Sequence, residues 1–509
     1  MKDYAERIAA ATDFLESVGQ DYERLATLPQ ADRQRFLMAA GRVARPGPWE
    51  KHALANAACE RRKAKKRKKD EQQLEQTGIR VSRRRPVFAP WPHGGTIDGD
   101  GKTGPHARMT TEPPVESPRL EESVSCYVCK SPFNDVHFFY DALCPSCAAL
   151  NWQKRTPSAD LTGRVAVVTG ARVKIGFQAA LMLLRSGAHV VVTTRFPRDA
   201  ATRYASEEDF ADWSGRLEVF GLDLRHTPSV EGFSRFLRGR LSRLDFLINN
   251  ACQTVRRPAG FYHHLMENET QPLEQLPGVA RAVLDGYENM RGGGSARGSL
   301  LHADDKIGMH DPATLSQVAL LQEDLPHTAP LFPAGQLDAD LQQVDLREMN
   351  SWRLGLGDVS AVELLEVQLV NAVAPFILNA RLKPLMLRVD TRDKHVVNVS
   401  AVEGQFSRRG KTDRHPHTNM AKAALNMMTR TSAADYLRDG IHMNSVDTGW
   451  VTDEDPAVIA ERKRREQGFH PPLDIVDGAA RIVDPIFTGI RTGIHVWGSF
   501  IKDYGVVDW

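Results

Sequence analysis

The chain has 509 residues, 41% hydrophobic and 26% charged, with a formal net charge of +2. That balance suits a globular protein of two or three domains; it excludes a disordered or fibrous chain and confines any basic character to local runs. No uninterrupted apolar run reaches bilayer-spanning length, and the N-terminus, MKDYAERIAAATDFLESV, carries acids where a signal peptide has its apolar core, so a cytoplasmic location is expected.

Residues 1–80 read as a helical region. Ile8, Ala11, Leu15 and Val18 fall at helical spacing, and Phe36, Leu37 and Ala40 begin a second apolar face. The run RRKAKKRKKD at Arg61–Asp70, followed by Arg83, Arg84 and Arg85, has two readings. It is a nucleic-acid or nuclear-localisation segment, or it is a solvated helix end. No aromatic residues are interleaved to stack bases, which favours the second reading. Residues 81–122, rich in Pro, Gly and Thr, read as a linker. The glycines of GGTIDGDGKT within it are misplaced for a phosphate loop.

Residues 123–156 carry two pairs, Cys126 with Cys129 and Cys144 with Cys147, each a Cys-x-x-Cys. Two such knuckles at this separation are the pattern of a four-thiolate zinc site. Zn2+ takes a tetrahedral set of thiolates, and four protein ligands leave no open position, so the expected role is structural. A redox dithiol would need only one pair.

From residue 157 to the end the pattern becomes strand and helix in alternation. Val165–Thr169 is a continuous apolar strand, the turn Gly170–Gly176 leads into a helix, and His189–Thr194 forms the next strand. This βαβ unit predicts a Rossmann fold, a doubly wound parallel sheet that binds a dinucleotide where the first strand meets the helix N-terminus. An enzyme for NAD commonly closes its second strand with a carboxylate that holds the ribose 2′-hydroxyl. Here Arg195 follows Thr194, with Arg172 and Lys174 nearby, and a guanidinium suits a 2′-phosphate. The expected cofactor is therefore NADP(H) rather than NAD(H).

Several motifs then occur in the order of one family. Thr169, Gly170 and Gly176 stand in a Thr-Gly-x-x-x-Gly-x-Gly frame, with Lys174 in place of the middle glycine and Ile175 beside it. Asp223-Leu224 follows the third strand, and Asn249-Asn250-Ala251 the fourth. Asn371 lies in a helix, Lys422 in NMAKAAL, and Asp447-Thr448-Gly449 with Thr452 in a late loop. This set resembles the short-chain dehydrogenase/reductase family. The resemblance implies that Thr169, Gly170, Arg172, Lys174, Ile175, Gly176, Arg195, Asp223, Leu224, Asn250, Ala251, Lys422, Thr448, Gly449 and Thr452 face the dinucleotide. It also implies hydride transfer between nicotinamide and a carbonyl, alcohol or double bond of unknown identity. The family's tyrosine, four residues before the lysine, is replaced by Thr418, and its serine position by Ala401 with Ser400 adjacent. Lys422 and Asn371 are retained, and Ser400, Thr418 and His417 are candidates to assist, with His415, Asp413 and Glu403 as further options. A dinucleotide-binding regulator without turnover is the alternative. An insertion spans residues 253–358, a candidate cap over the substrate pocket. A protein partner for this insertion or the cysteine module, and a homo-oligomer, are compatible with the pattern.

Overall fold

The computed structural model describes residues 2–83, 118–156, 159–292, 310–325, 330–333, 335–338, 342–408 and 410–509. It contains two compact units, residues 1–70 and 71–509. In the first, helices Lys2–Gln20 and Gln30–Ala44 meet through the edge-to-face pair Phe14 and Phe36, 5.9 Å between centroids. Its basic run lies in the helix Pro48–Leu74 with Arg61–Lys68 exposed, as a solvated helix requires.

Among the described residues, the second unit is built on ten strands. β1 (Arg119–Ser125) and β2 (Pro132–Asp135) form a small antiparallel pair. The main sheet holds β3 (Val165–Thr169), β4 (His189–Thr194), β5 (Leu217–Gly221), β6 (Phe246–Asn249), β7 (Lys394–Ser400), β8 (Ile441–Asp447), β9 (Phe500–Lys502) and β10 (Gly505–Val507). Its order is β5-β4-β3-β6-β7-β8-β9-β10, parallel except for the last pair. The strand order reverses between β3 and β6, and in such sheets ligands bind at the carboxyl edge of that reversal. The central strands are valine-rich because helices cover both faces and all but the first position of β3 and of β4 are buried.

Helix Ala361–Met386 departs from one expectation. It is long and apolar enough to cross a membrane, with mean hydropathy 1.6 in a window of which 39% is buried. In the sequence, Glu363, Glu366, Asn371 and Asn379 disguise this by interrupting the apolar run. In the fold those polar groups are spent inside: Asn379 Nδ2 donates to Asn398 Oδ1 (3.3 Å), which also accepts from Asn249 Nδ2 (2.8 Å).

The cysteine module is fused to this domain. Gly78 and Ile79 donate backbone hydrogen bonds to Phe138 and Phe139, so the start of the expected linker is helix (Gly78–Arg83) packed on the module. Arg83, counted above with the basic run, instead donates to the carbonyls of Val451 and Leu473. The rest of the linker, with GGTIDGDGKT, Arg84 and Arg85, lies outside the described residues. On the module's far side Arg155, 3% exposed, bridges Asp474 (2.8 Å) and Asp477 (3.0 Å) at the start of helix Ile475–Thr492. Tyr140 hydrogen-bonds Asp477, and Asn151 accepts from Arg481. The insertion is tied down in the same way: Arg256 pairs with Glu323, Asp324 and Glu366.

Breaking a buried ion pair from one side leaves the other charge without compensation, at about 3–5 kcal/mol. Arg155→Met should therefore lower the urea midpoint of the second unit by that equivalent, whereas Arg438→Met, on an exposed pair, should change it by less than about 1 kcal/mol. Equal effects in urea titrations would contradict the docking role.

Candidate functional site

At the carboxyl edge of the sheet lies a cavity of about 810 Å3. One end is walled by Arg195, Asp223 and Leu224, the middle by the Gly170–Gly176 turn and Asn250-Ala251, the other end by Ser400, Lys422 and Gly449. Gly170 has φ +67, and a Cβ there would stand 2.7 Å from the Ala251 Cα; at Gly176 it would stand 2.3 Å from Asn250 Nδ2. Only glycine lets these backbones approach so closely. Lys174, at the middle glycine position, adopts φ +56 at the first residue of helix Lys174–Arg185, a left-handed conformation that costs a lysine roughly 1–2 kcal/mol. The helix N-terminus opens toward the cavity, as anion binding requires.

The residues expected at the cofactor divide into two groups. Gly170, Arg172, Lys174, Ile175, Gly176, Arg195, Asp223, Leu224, Asn250, Ala251, Lys422, Thr448, Gly449 and Thr452 all line the cavity. Thr169 does not; its hydroxyl accepts from Ala251 N (3.0 Å) and fixes the neighbouring turn. Asn250 Nδ2 donates to the Thr169 and Gly170 carbonyls (3.0 and 3.1 Å). Arg195 lies 4.4 Å from the Tyr262 ring centroid, donates to its hydroxyl and makes no ion pair among the described residues. Arg172 is half-committed to Asp199 at 2.6 Å. Asp223 is 2% exposed; burial raises its pKa, but hydrogen bonds and charge from Arg225 outweigh this and hold it below the ordinary carboxylate range. Burial pushes Asp447, at the end of β8, up to about 6.

The expected catalytic residues are corrected in part. Lys422 reaches the cavity and donates to the Val399 carbonyl at 2.7 Å. Ser400 also lines it, but its hydroxyl is donated to Asn426 at 2.6 Å. Asn371 sits in a π-helical turn and is 1% exposed; both ends of its amide bind the Gln253 backbone (2.8 and 3.1 Å), so it holds the Asn-Asn-Ala turn rather than touching the cavity. Thr418 and His417 do not line the cavity. The first turn of helix Pro416–Arg438 packs against helix Ala361–Gln368, placing His417 Nε2 3.3 Å from Glu363 and burying Thr418.

Wall residues without a signal in the sequence include Tyr127, Trp352 and Arg353. Tyr127, inside the first cysteine knuckle, accepts from Trp450 N at 2.9 Å and so holds the Gly449 loop. Trp352 and Arg353 close the wall from the end of the insertion. His415, only a general option in the sequence, enters the cavity stacked on Trp352, 4.0 Å between centroids and 9° between planes.

The cysteines assemble as the spacing implies. All four Sγ atoms lie within 4.8 Å of one another, and Cys129 and Cys144 are 3.6 Å apart. A tetrahedral ion with bonds of about 2.3 Å to sulfur sets its ligands about 3.8 Å apart. The thiolate set fits Zn2+. None of the six cysteines is in a disulfide.

Residues 164–272 match the family model described as short chain dehydrogenase, and residues 351–471 match the one described as enoyl-(acyl carrier protein) reductase. The chain is similar to an uncharacterized protein of Acanthamoeba polyphaga mimivirus, 29% identical over 394 residues and 74% of each chain. It is 42% identical over 106 residues to dehydrogenase/reductase SDR family member 13 of Bos taurus, spanning 20% of this chain and 27% of that protein. A solved short-chain dehydrogenase of Burkholderia cenocepacia, in complex with NADP, superposes with a TM-score of 0.41 at 16% identity, covering 68% of this chain and 97% of that one. The two family matches, around a parallel sheet with a glycine turn at its order reversal, show that the chain belongs to the short-chain dehydrogenase/reductase family of oxidoreductases.

Proposed function

We propose that this protein is an NADP(H)-dependent oxidoreductase that moves hydride between the nicotinamide and a carbonyl or alcohol substrate. The observation that carries the reading is one continuous cavity with the glycine turn at its middle, Arg195 at one end and Lys422 at the other. Strand β4 ends without a carboxylate, and Arg195, free of ion pairs among the described residues and braced by Tyr262, presents its remaining N–H groups to a 2′-phosphate. Lys422, anchored on Val399, has two further N–H donors for the nicotinamide ribose. The bound dinucleotide supplies the hydride; the protein's part is to bind it, orient it and exclude water.

The cysteine module is read as a structural zinc site. Its effect on the pocket runs through Tyr127, which joins the Cys126–Cys129 knuckle to the Gly449-Trp450 loop. The metal thereby braces a wall of the cavity.

Arg195→Ala should weaken NADPH binding about 10- to 100-fold, the value of a charge-assisted hydrogen bond, and change NADH binding less than about threefold. Fluorescence titration checks this, and equal losses would contradict the NADP(H) assignment. Tight NADPH binding without turnover across a broad carbonyl panel would favour the regulatory alternative. Metal analysis of the purified protein should find zinc, and its removal by a strong chelator should weaken NADPH binding without unfolding the central sheet. A zinc-free protein with full NADPH affinity would refute the bracing role.

A further inference from the structure

The family tyrosine leaves a gap in the chemistry of this site. A hydride that reduces a carbonyl carbon leaves an alkoxide that must receive a proton, and Thr418 is buried away from the cavity. Its hydroxyl would in any case be a far weaker acid than a phenol. A group facing the same cavity has to take that part.

We propose that His415 is the proton-transferring residue of this oxidoreductase, with Nε2 as the reacting atom. The inference rests on the NADP(H) reading above and goes beyond it. Several independent features of the geometry converge on this side chain. His415 precedes helix Pro416–Arg438 and adopts φ +41, ψ 48, a left-handed conformation that a β-carbon disfavours. Strain of this kind persists where the surroundings over-determine it. Here they do: the backbone N–H of His415 donates to the Leu354 carbonyl of the insertion (2.8 Å), and the ring lies flat on Trp352. His415 is 8% exposed, yet it lines the cavity together with Asn419 and Lys422. These residues follow at four and seven positions along the helix, the spacing of one face.

The tautomer is fixed as well. Nδ1 lies 3.1 Å from Asn419 Oδ1, an acceptor, so Nδ1 carries the proton. Nε2 is then a lone pair with no partner among the described residues. The pair Nδ1–H to Asn419 orients the ring, as the second partner of a general base must. In the oxidative direction the alcohol's O–H proton passes to Nε2 as the C–H hydride passes to NADP+. The products are the carbonyl compound, NADPH and an imidazolium, which returns its proton to solvent. In reduction the imidazolium donates from Nε2 to the carbonyl oxygen as hydride arrives from NADPH, and the imidazole is regenerated.

The charges around the ring set its titration. Burial lowers its pKa below the ordinary imidazole value, and His417 acts in the same direction, whereas Glu403 and the bond to Asn419 act against it. Arg408, Lys411 and Arg414 also line this end, with Arg408 paired to Glu403 and Lys411 bonded to the Glu403 carbonyl. Burial thus favours the neutral imidazole, the form that acts as a base. Reduction, which needs the imidazolium, falls as pH rises through the ring's titration, which burial sets below that of a free imidazole. Oxidation rises through the same titration and is level above it.

The test uses the full-length protein with NADPH and 2,3-butanedione as carbonyl probe. In the wild type, reduction should decline with rising pH as stated. In His415→Asn the rate should fall at least about 100-fold and the pH limb should vanish, with NADPH affinity unchanged by fluorescence titration. Lys422→Ala should instead lose NADPH affinity. An unchanged rate and pH limb in His415→Asn would overturn the inference. So would a loss of NADPH affinity equal to that of Lys422→Ala, which would mark a merely structural role. A second measurement decides the matter if butanedione is not turned over. In 15N-histidine-labelled protein the resonance missing from His415→Asn should show an Nδ1–H tautomer, with a pKa higher under NADPH than under NADP+, whose nicotinamide is cationic. A pKa blind to the cofactor's redox state overturns the inference. A protein that binds neither dinucleotide refutes the NADP(H) reading first, and the inference falls with it.

Discussion

Everything at this site depends on one close approach. The turn after β3, the turn after β6 and the first residues of helix Lys174–Arg185 meet with no space for a β-carbon at Gly170 or Gly176. That contact holds only because polar groups around it are committed to it. Thr169 holds Ala251, Asn250 holds the carbonyls of Thr169 and Gly170, and Asn371 holds both backbone groups of Gln253. These side chains are spent on backbone and are unavailable for chemistry. Their effect on function is to place helix dipole and backbone N–H groups where a pyrophosphate would lie.

Two peripheral elements complete the cavity. The cysteine module adds Tyr127 to the wall, and the insertion adds Trp352 and Arg353. Both are fastened by buried arginines: Arg155 between Asp474 and Asp477, and Arg256 among Glu323, Asp324 and Glu366. Such pairs contribute little net stability over an apolar contact, but a displaced partner leaves a buried charge unpaired. They therefore fix where each element sits, which is what a pocket assembled from distant segments needs.

Much of this was legible in the sequence because the signals were local. β3 and β4 are continuous valine runs, and burial on both faces imposes that composition. The glycine turn, the cysteine knuckles and Arg195 were read from spacings of a few residues. The catalytic end was harder. The four-residue interval placed Thr418 and Lys422 on one helix face, but packing of the first turn against helix Ala361–Gln368 buries Thr418 and carries His417 to Glu363. His415 reaches the cavity through a left-handed residue stacked on Trp352, 63 positions earlier in the chain. Tyr127 reaches it across more than 300 positions. No local pattern encodes contacts of that range.

A crystal structure of the protein with NADP+ tests the central claim most directly. The account predicts the adenosine 2′-phosphate on Arg195, the pyrophosphate at the Gly170–Gly176 turn, the ribose on Lys422, and the nicotinamide between the Gly449 loop and His415. A dinucleotide bound outside this cavity, or bound within it with Arg195 and His415 both out of reach, would contradict it.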